Sequence, residues 1–179
     1  MSKRIRLWLI AALALCAAAA VGVTLSFMFK KAEKTNTFVP AEVTCEVEES
    51  LFSGVKSKVC VKNTGNAAAY LRIRLVSYYV YNDNSIAGRV PSQYPTLTLQ
   101  NGWIAGADHT YYYPTPVEPG AKTGILCDPI TLGTVKLADG KTVYQVLEVF
   151  AEAIQAEPVG AVQEAWNVTV SGTEITAVP

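Results

Sequence analysis

Hydrophobic and polar positions along this chain fall into two regimes separated by a short polar stretch. Residues 7–29 form an uninterrupted run of 23 positions without a charged side chain, directly after Lys3, Arg4 and Arg6. A positive flank followed by such a run is built to enter a membrane. The run is longer than the roughly 7–15 residues of an ordinary signal core and reaches the roughly 20 needed to span a bilayer. Its second half is rich in small residues, and Thr24 and Ser26 place small side chains where a signal peptidase reads them before a cut between Ser26 and Phe27. The pattern therefore predicts either a signal peptide over residues 1–26 or an uncleaved membrane anchor reaching to about residue 29. Residues 30–37, KKAEKTNT, read as solvated linker, so residues 27–40 are an exposed segment between that helix and the rest.

Beyond the linker the period changes to two. Val43, Cys45 and Val47 alternate with Thr44, Glu46 and Glu48, and KVCVKN repeats the pattern with Val59 and Val61 before Asn63-Thr64-Gly65-Asn66 turns the chain. Residues 70–81 place Leu71, Ile73 and Leu75 on one face and Arg72 and Arg74 on the other, and the closing SYYVY suits a pleated surface covered on both sides. Further strands are predicted at 96–99, 109–113 and 123–127, separated by Asn101-Gly102, Pro114-Thr115-Pro116 and Pro119-Gly120. Residues 142–156 set Leu147, Val149, Ala151 and Ala153 against Val146, Glu148, Phe150 and Glu152. AVQEAW offers one short helical turn through Val162, Ala165 and Trp166, after which WNVTVSG returns to strand. Roughly seven to nine short strands with turn signals between them predict an all-β domain over residues 41–179, an antiparallel β-sandwich of jelly-roll type with one short helix.

Charge removes one class of partner. Setting aside Lys3, Arg4 and Arg6, the chain carries 12 basic against 15 acidic residues, a net −3, and so lacks a nucleic-acid footprint. Two motifs in the apolar run are decoys. GVTLSF lacks the Glu of a pilin opening, having Phe27 at that position, and Leu15 is too bulky to precede a lipidated Cys16.

Candidate chemistry is sparse. His109 is the sole histidine, which removes His pairs for zinc and His-based triads with a second imidazole. Glu46 and Glu48 share one outward strand face and read as a solvated stripe; NDNSIAG at 82–88 lacks the ligand spacing of a calcium loop and reads as a turn. Glu148 and Glu152 can pair with Arg72 and Arg74 across strands, at about 0.2–1 kcal/mol each. No catalytic residue, metal or cofactor is expected. The aromatics Tyr78, Tyr79, Tyr81, Tyr94, Trp103 and Tyr111–Tyr113 form either a sugar-stacking platform or, more in keeping with alternate tyrosines in strands, core and cross-strand filling.

Three cysteines follow the N-terminal helix, and an odd number outside the cytoplasm allows at most one intramolecular disulfide. Cys45 and Cys60, on successive strands, are the leading pair, with Cys127 an alternative partner or a free thiol.

TLSFMFKKAEKTNTFVPAEV, VKNTGNAAAYLRIRL, NGWIAGADHTYYYPTPVEPGAKTGIL and AEAIQAEPVGAVQEAW, in this order, resemble the TasA/camelysin family of Gram-positive bacteria, and the likeness covers essentially the whole chain. The resemblance implies export with a signal cut by a SipW-type signal peptidase, a jelly-roll sandwich secreted or held at the cell surface, and assembly into biofilm matrix fibres. It further implies that the N-terminal segment of one subunit adds a strand to the next. In this chain that segment would carry Phe27, Phe29, Phe38 and Val39. Members commonly have Ala and an acidic residue around the cut, where this sequence has Ser26 and then Phe27-Met28-Phe29-Lys30-Lys31. Some relatives are described as metalloproteases, yet one histidine and no zinc-binding helix predict a non-enzyme here.

The expected partners are other copies and related matrix proteins, the signal peptidase during export, and the membrane only through residues 7–29. The expected location is extracellular or at the cell surface. The competing readings are a membrane-anchored surface module and a glycan-binding sandwich.

Overall fold

The computed structural model describes residues 40–179; the apolar run, the Ser26/Phe27 cut and the segment residues Phe27, Phe29, Phe38 and Val39 lie outside the described residues. Residues 41–179 form one compact unit. Strands β1 (Cys45–Phe52) and β2 (Val55–Asn63) make a hairpin. Ser53 and Gly54 between them both take left-handed dihedrals, with φ of 49° and 75°, giving the two-residue turn whose twist matches the flanking strands.

Strand β3 (Ala69–Val80) pairs with β8 (Thr142–Gln155) without a break from Ala69↔Gln155 to Val80↔Tyr144. Short strands extend this pair: β4 (Ile104–Ala105) and β5 (Thr110–Tyr112) on the β3 side, and β7 (Thr134–Lys136) beyond β8, in the order β4-β5-β3-β8-β7. A three-stranded sheet, β1-β2-β6, is closed by β6 (Ile130–Thr131). Helix α1 (Val159–Trp166) then leads into a hairpin of β9 (Thr169–Ser171) and β10 (Glu174–Ala177). Every strand pairing is antiparallel, so the described chain is mostly β with antiparallel sheets, and the larger sheet curls as an open half-barrel.

The alternation read along the chain positions the core. Val59 and Val61 of β2 meet Leu71, Ile73 and Leu75 of β3 and Leu147 of β8 in one buried cluster, which also takes in Trp103, Leu126 and Ile130. Each such side chain contributes about 1.5–3 kcal/mol by leaving water. The opposite face of the larger sheet is covered as well. Tyr70 and Tyr112 pack with Val162 and Trp166 of α1, Val168 and Ile175. The i, i+4 spacing of Val162 and Trp166 puts both on the helix stripe that faces the sheet.

Two predicted strands do not form. At 96–99 the side chains alternate as expected, with Tyr94, Leu97 and Leu99 packed on the core, but no described strand lies alongside, and only Gln100 at the end donates its N–H to the Leu126 carbonyl, at 2.9 Å. Residues 123–127 do run beside β2, with Thr123 and Leu126 each donating an N–H at 2.8 Å to Val61 and Val59. The run is not a regular ladder because the two bonding residues, 123 and 126, are three apart while their partners on β2 are two apart; within it Asn101 packs directly over Gly124, where a Cβ would collide with it. The turn at 118–121 matches expectation: Ala121 N–H donates to the Glu118 carbonyl at 3.0 Å, and Gly120 supplies the positive φ of 77°. The predicted single helical turn is an eight-residue helix, and β10, not expected, pairs with the predicted final strand.

Candidate functional site

The site lies where strand edges are left without partners. Strand β2 is flanked by β1 on one side and by β6 and residues 121–126 on the other; β3 is flanked by β5 and β8. Among the described residues, no strand pairs with the outer edge of β1, or with the outer edge of β8 beyond Gln145. Gln145 donates its N–H to Gly133 on the β7 side, whereas Ala156 donates to Ala68 on the β3 side. Antiparallel backbones alternate in this way, so Leu147, Val149, Ala151 and Ala153 turn their N–H and C=O groups to the open edge. On β1, Thr44 accepts from Thr64 on the β2 side, which by the same alternation turns the groups of Cys45, Val47 and Glu49 outward.

A groove of about 530 Å³ opens between the two edges, lined by Glu49 and Leu51 of β1, Lys56 of β2, Leu132, and residues 145–150 of β8. Its rim is apolar where an edge is ordinarily blunted by charge or proline. Leu51 is 61% exposed and Phe150 46%, and Phe52, next to Leu51 in the chain, is 84% exposed. The floor holds an ion pair: Lys56 Nζ lies 2.5 Å from Glu49 Oε1, with the lysine side chain 6% exposed and the glutamate 31%. Two unpaired strand edges over an apolar, partly charged groove can accept an extended peptide, with main-chain bonds supplying affinity and alternate side chains supplying selectivity.

The candidate Cys45–Cys60 disulfide is not formed in the structure. Cys45, Cys60 and Cys127 are all free thiols. Cys45 stands opposite Asn63 and Cys60 opposite Glu48, so the two are out of register and their side chains leave opposite faces of the sheet. Burial raises both thiols above their ordinary value, with Glu152 adding to the effect at Cys45; at Cys60 Glu48 raises and Lys122 partly offsets it.

The expected cross-strand pairs are half realised. Arg72 lies opposite Glu152 and binds it at 2.5 Å, while Arg74 lies opposite Phe150. Glu148 instead accepts from the Tyr78 hydroxyl at 2.7 Å, and that bond holds the phenol above its usual range. Glu48 of the outer stripe pairs with Lys122 at 2.5 Å.

The aromatics do not gather on one face. Tyr79, Trp103 and Tyr112 are buried in three separate clusters, and Tyr94 stacks on His109 with ring centres 3.4 Å apart. NDNSIAG is a turn in which the Asp83 carboxylate accepts from Ser85 N–H and Oγ, bonds that lower its pKa. Among the described residues no three His, Cys, Asp or Glu side chains converge as a ligand set.

Sequence reasoning missed the groove. Its one visible signal is Leu51-Phe52, two adjacent apolar residues that break the alternation just before a tight turn. The burial of Lys56 has no sequence signature. Comparison with known protein families, curated proteins and solved structures returned no match to this chain.

Proposed function

We propose that this chain is an exported structural protein of the cell surface, a TasA/camelysin-like subunit or accessory component of extracellular matrix fibres, with its two main sheets arranged as a jelly-roll sandwich. The observation that carries the reading is the groove between β1 and β8, where two strand edges without described partners meet an exposed apolar rim of Leu51 and Phe150. An edge of this kind is a template for pairing with another chain. The segment proposed to fill it is residues 27–39 of a neighbouring copy, which carries Phe27, Phe29, Phe38 and Val39 on either side of the polar stretch KKAEKTNT. Support also comes from the four segments that resemble the family.

Electron microscopy of the chain from residue 27 tests this reading. Fibres are expected, and they should be lost when residues 27–40 are deleted; failure of both forms to polymerise counts against fibre formation. The apolar run of residues 7–29 favours a second reading, a tethered surface module. An intact mass from cell-surface and culture fractions separates the two: a species beginning near Phe27 supports release, and a full-length species supports the tether.

A further inference from the structure

We propose that Lys56 is the selectivity residue of the groove, donating a hydrogen bond from its ammonium to an oxygen acceptor on the strand that enters; the inference rests on the strand-addition reading above. A lysine ammonium carries three donors. Lys56 is 4% exposed as a residue, and its one hydrogen-bond partner among the described residues is Glu49 Oε1, at 2.5 Å. A buried charged group with unused donors is costly unless something meets them. Lys56 lines the same groove as residues 145–150 of β8, where the outward backbone groups of Leu147 and Val149 also lack described partners. An entering strand brings both kinds of partner at once: amides and carbonyls for the β8 edge, and an oxygen for Lys56.

The occupant we assign is residues 27–39 of a second copy. That segment is followed directly by the described chain, and it contains one carboxylate, Glu33, among the lysines Lys30, Lys31 and Lys34. The oxygen that Lys56 takes is therefore assigned to the Glu33 carboxylate, the one side-chain acceptor with a full negative charge in the segment. The cationic neighbours of Glu33 approach a groove that carries Glu49 and Glu148 at its walls. The charge pattern of the segment thus complements the groove, and Lys56 distinguishes it from an apolar strand offering no acceptor at that position.

The test uses the full-length chain in detergent solution with photoreactive p-benzoyl-phenylalanine replacing Phe150 at the rim. Illumination is expected to link copies, with the attachment mapped by mass spectrometry to residues 27–39. In the Lys56→Met protein the yield should fall about tenfold or more when measured well below its own thermal midpoint, where the domain is folded. Wild-type links with unchanged yield in Lys56→Met overturn the role of Lys56 and leave strand addition standing. Absence of wild-type links into residues 27–39 overturns the strand-addition reading and the inference with it. If Lys56→Met fails to fold, the double replacement Lys56→Met with Glu49→Leu removes both charges; the same loss supports the inference and an unchanged yield overturns it. Glu33→Leu removes the side-chain acceptor: a loss matching that of Lys56→Met supports Glu33 as the group Lys56 selects, and an unchanged yield overturns the selectivity role.

Discussion

Arg72 of β3 faces Glu152 of β8, and its guanidinium bonds that carboxylate at 2.5 Å while standing 4.6 Å above the Trp166 ring centre. One side chain thus joins the central strand pair to the helix packed on it. Replacing Arg72 by Ala removes an ion pair of about 0.2–1 kcal/mol and a cation–π contact of about 0.5–2 kcal/mol. The expected loss is about 1–2 kcal/mol in urea denaturation. Arg72→Lys should recover only part of it, since an ammonium lacks the planar fork that meets ring and carboxylate together.

Asn63 ties three loops together and should be less replaceable than any surface residue. Its amide donates to the carbonyls of Ala67 and Val117 at 2.8 and 2.7 Å, and its side-chain oxygen accepts from Gly65 N–H at 3.0 Å. The side chain is fully buried. Asn63→Ala leaves these groups unpaired and should cost about 2–4 kcal/mol, and Asn63→Asp at least as much because two carbonyls then face a carboxylate. Thermal or urea unfolding reads both.

Glycine substitutions should divide sharply. A Cβ on Gly65 would run into the backbone oxygen of Glu42, whereas one on Gly88 meets nothing within 4 Å. Gly65→Ala is expected to lower the midpoint of thermal unfolding by several degrees, as a loss of about 1–3 kcal/mol does. Gly88→Ala should leave it unchanged or slightly raised.

The three thiols of the domain should be separable by reactivity. Cys127 is 5% exposed and should react with a maleimide only after unfolding. Cys45 and Cys60 are partly accessible, but burial holds both protonated at neutral pH. Their alkylation should be slow at pH 7 and speed up as pH rises above the ordinary thiol range, since the thiolate is the nucleophile. A non-reduced mass showing a Cys45–Cys60 bridge would contradict the register of β1 on β2.

Leu51→Lys should separate assembly from stability. The side chain is 61% exposed, so the change should alter folding free energy by about 0.5 kcal/mol or less. A charge on the rim is a known way to blunt an edge, and polymerisation measured by light scattering should be suppressed. Equal polymerisation by the variant would place the contact surface elsewhere.

The parts of the fold that were legible in the sequence are those governed by period. Alternation along residues 70–81 and 142–156 foretold which face of each long strand is buried and put Arg72, Arg74, Glu148 and Glu152 on the other face; which of them pair was set by the register. Alternation does not encode pairing register. Cys45 and Cys60 sit on adjacent strands as expected, yet the register leaves them on opposite faces. Nor does alternation say whether an extended segment finds a neighbour, which is why Leu97 and Leu99 turn inward on a stretch that has no ladder. The groove eluded the sequence for the same reason: an open edge is defined by which strands do not arrive beside it.

The long β3–β8 pairing carries a consequence for how the domain comes into being. Its two strands are separated by all of residues 81–141, so the core cannot close until most of the chain has left the ribosome. Pairings of such separation form slowly because a large loop must be brought together first. Until β8 arrives, β3 stands with the edge that β8 will cover unpaired along its whole length, and a chain in that condition depends on dilution or on an escort to avoid its neighbours.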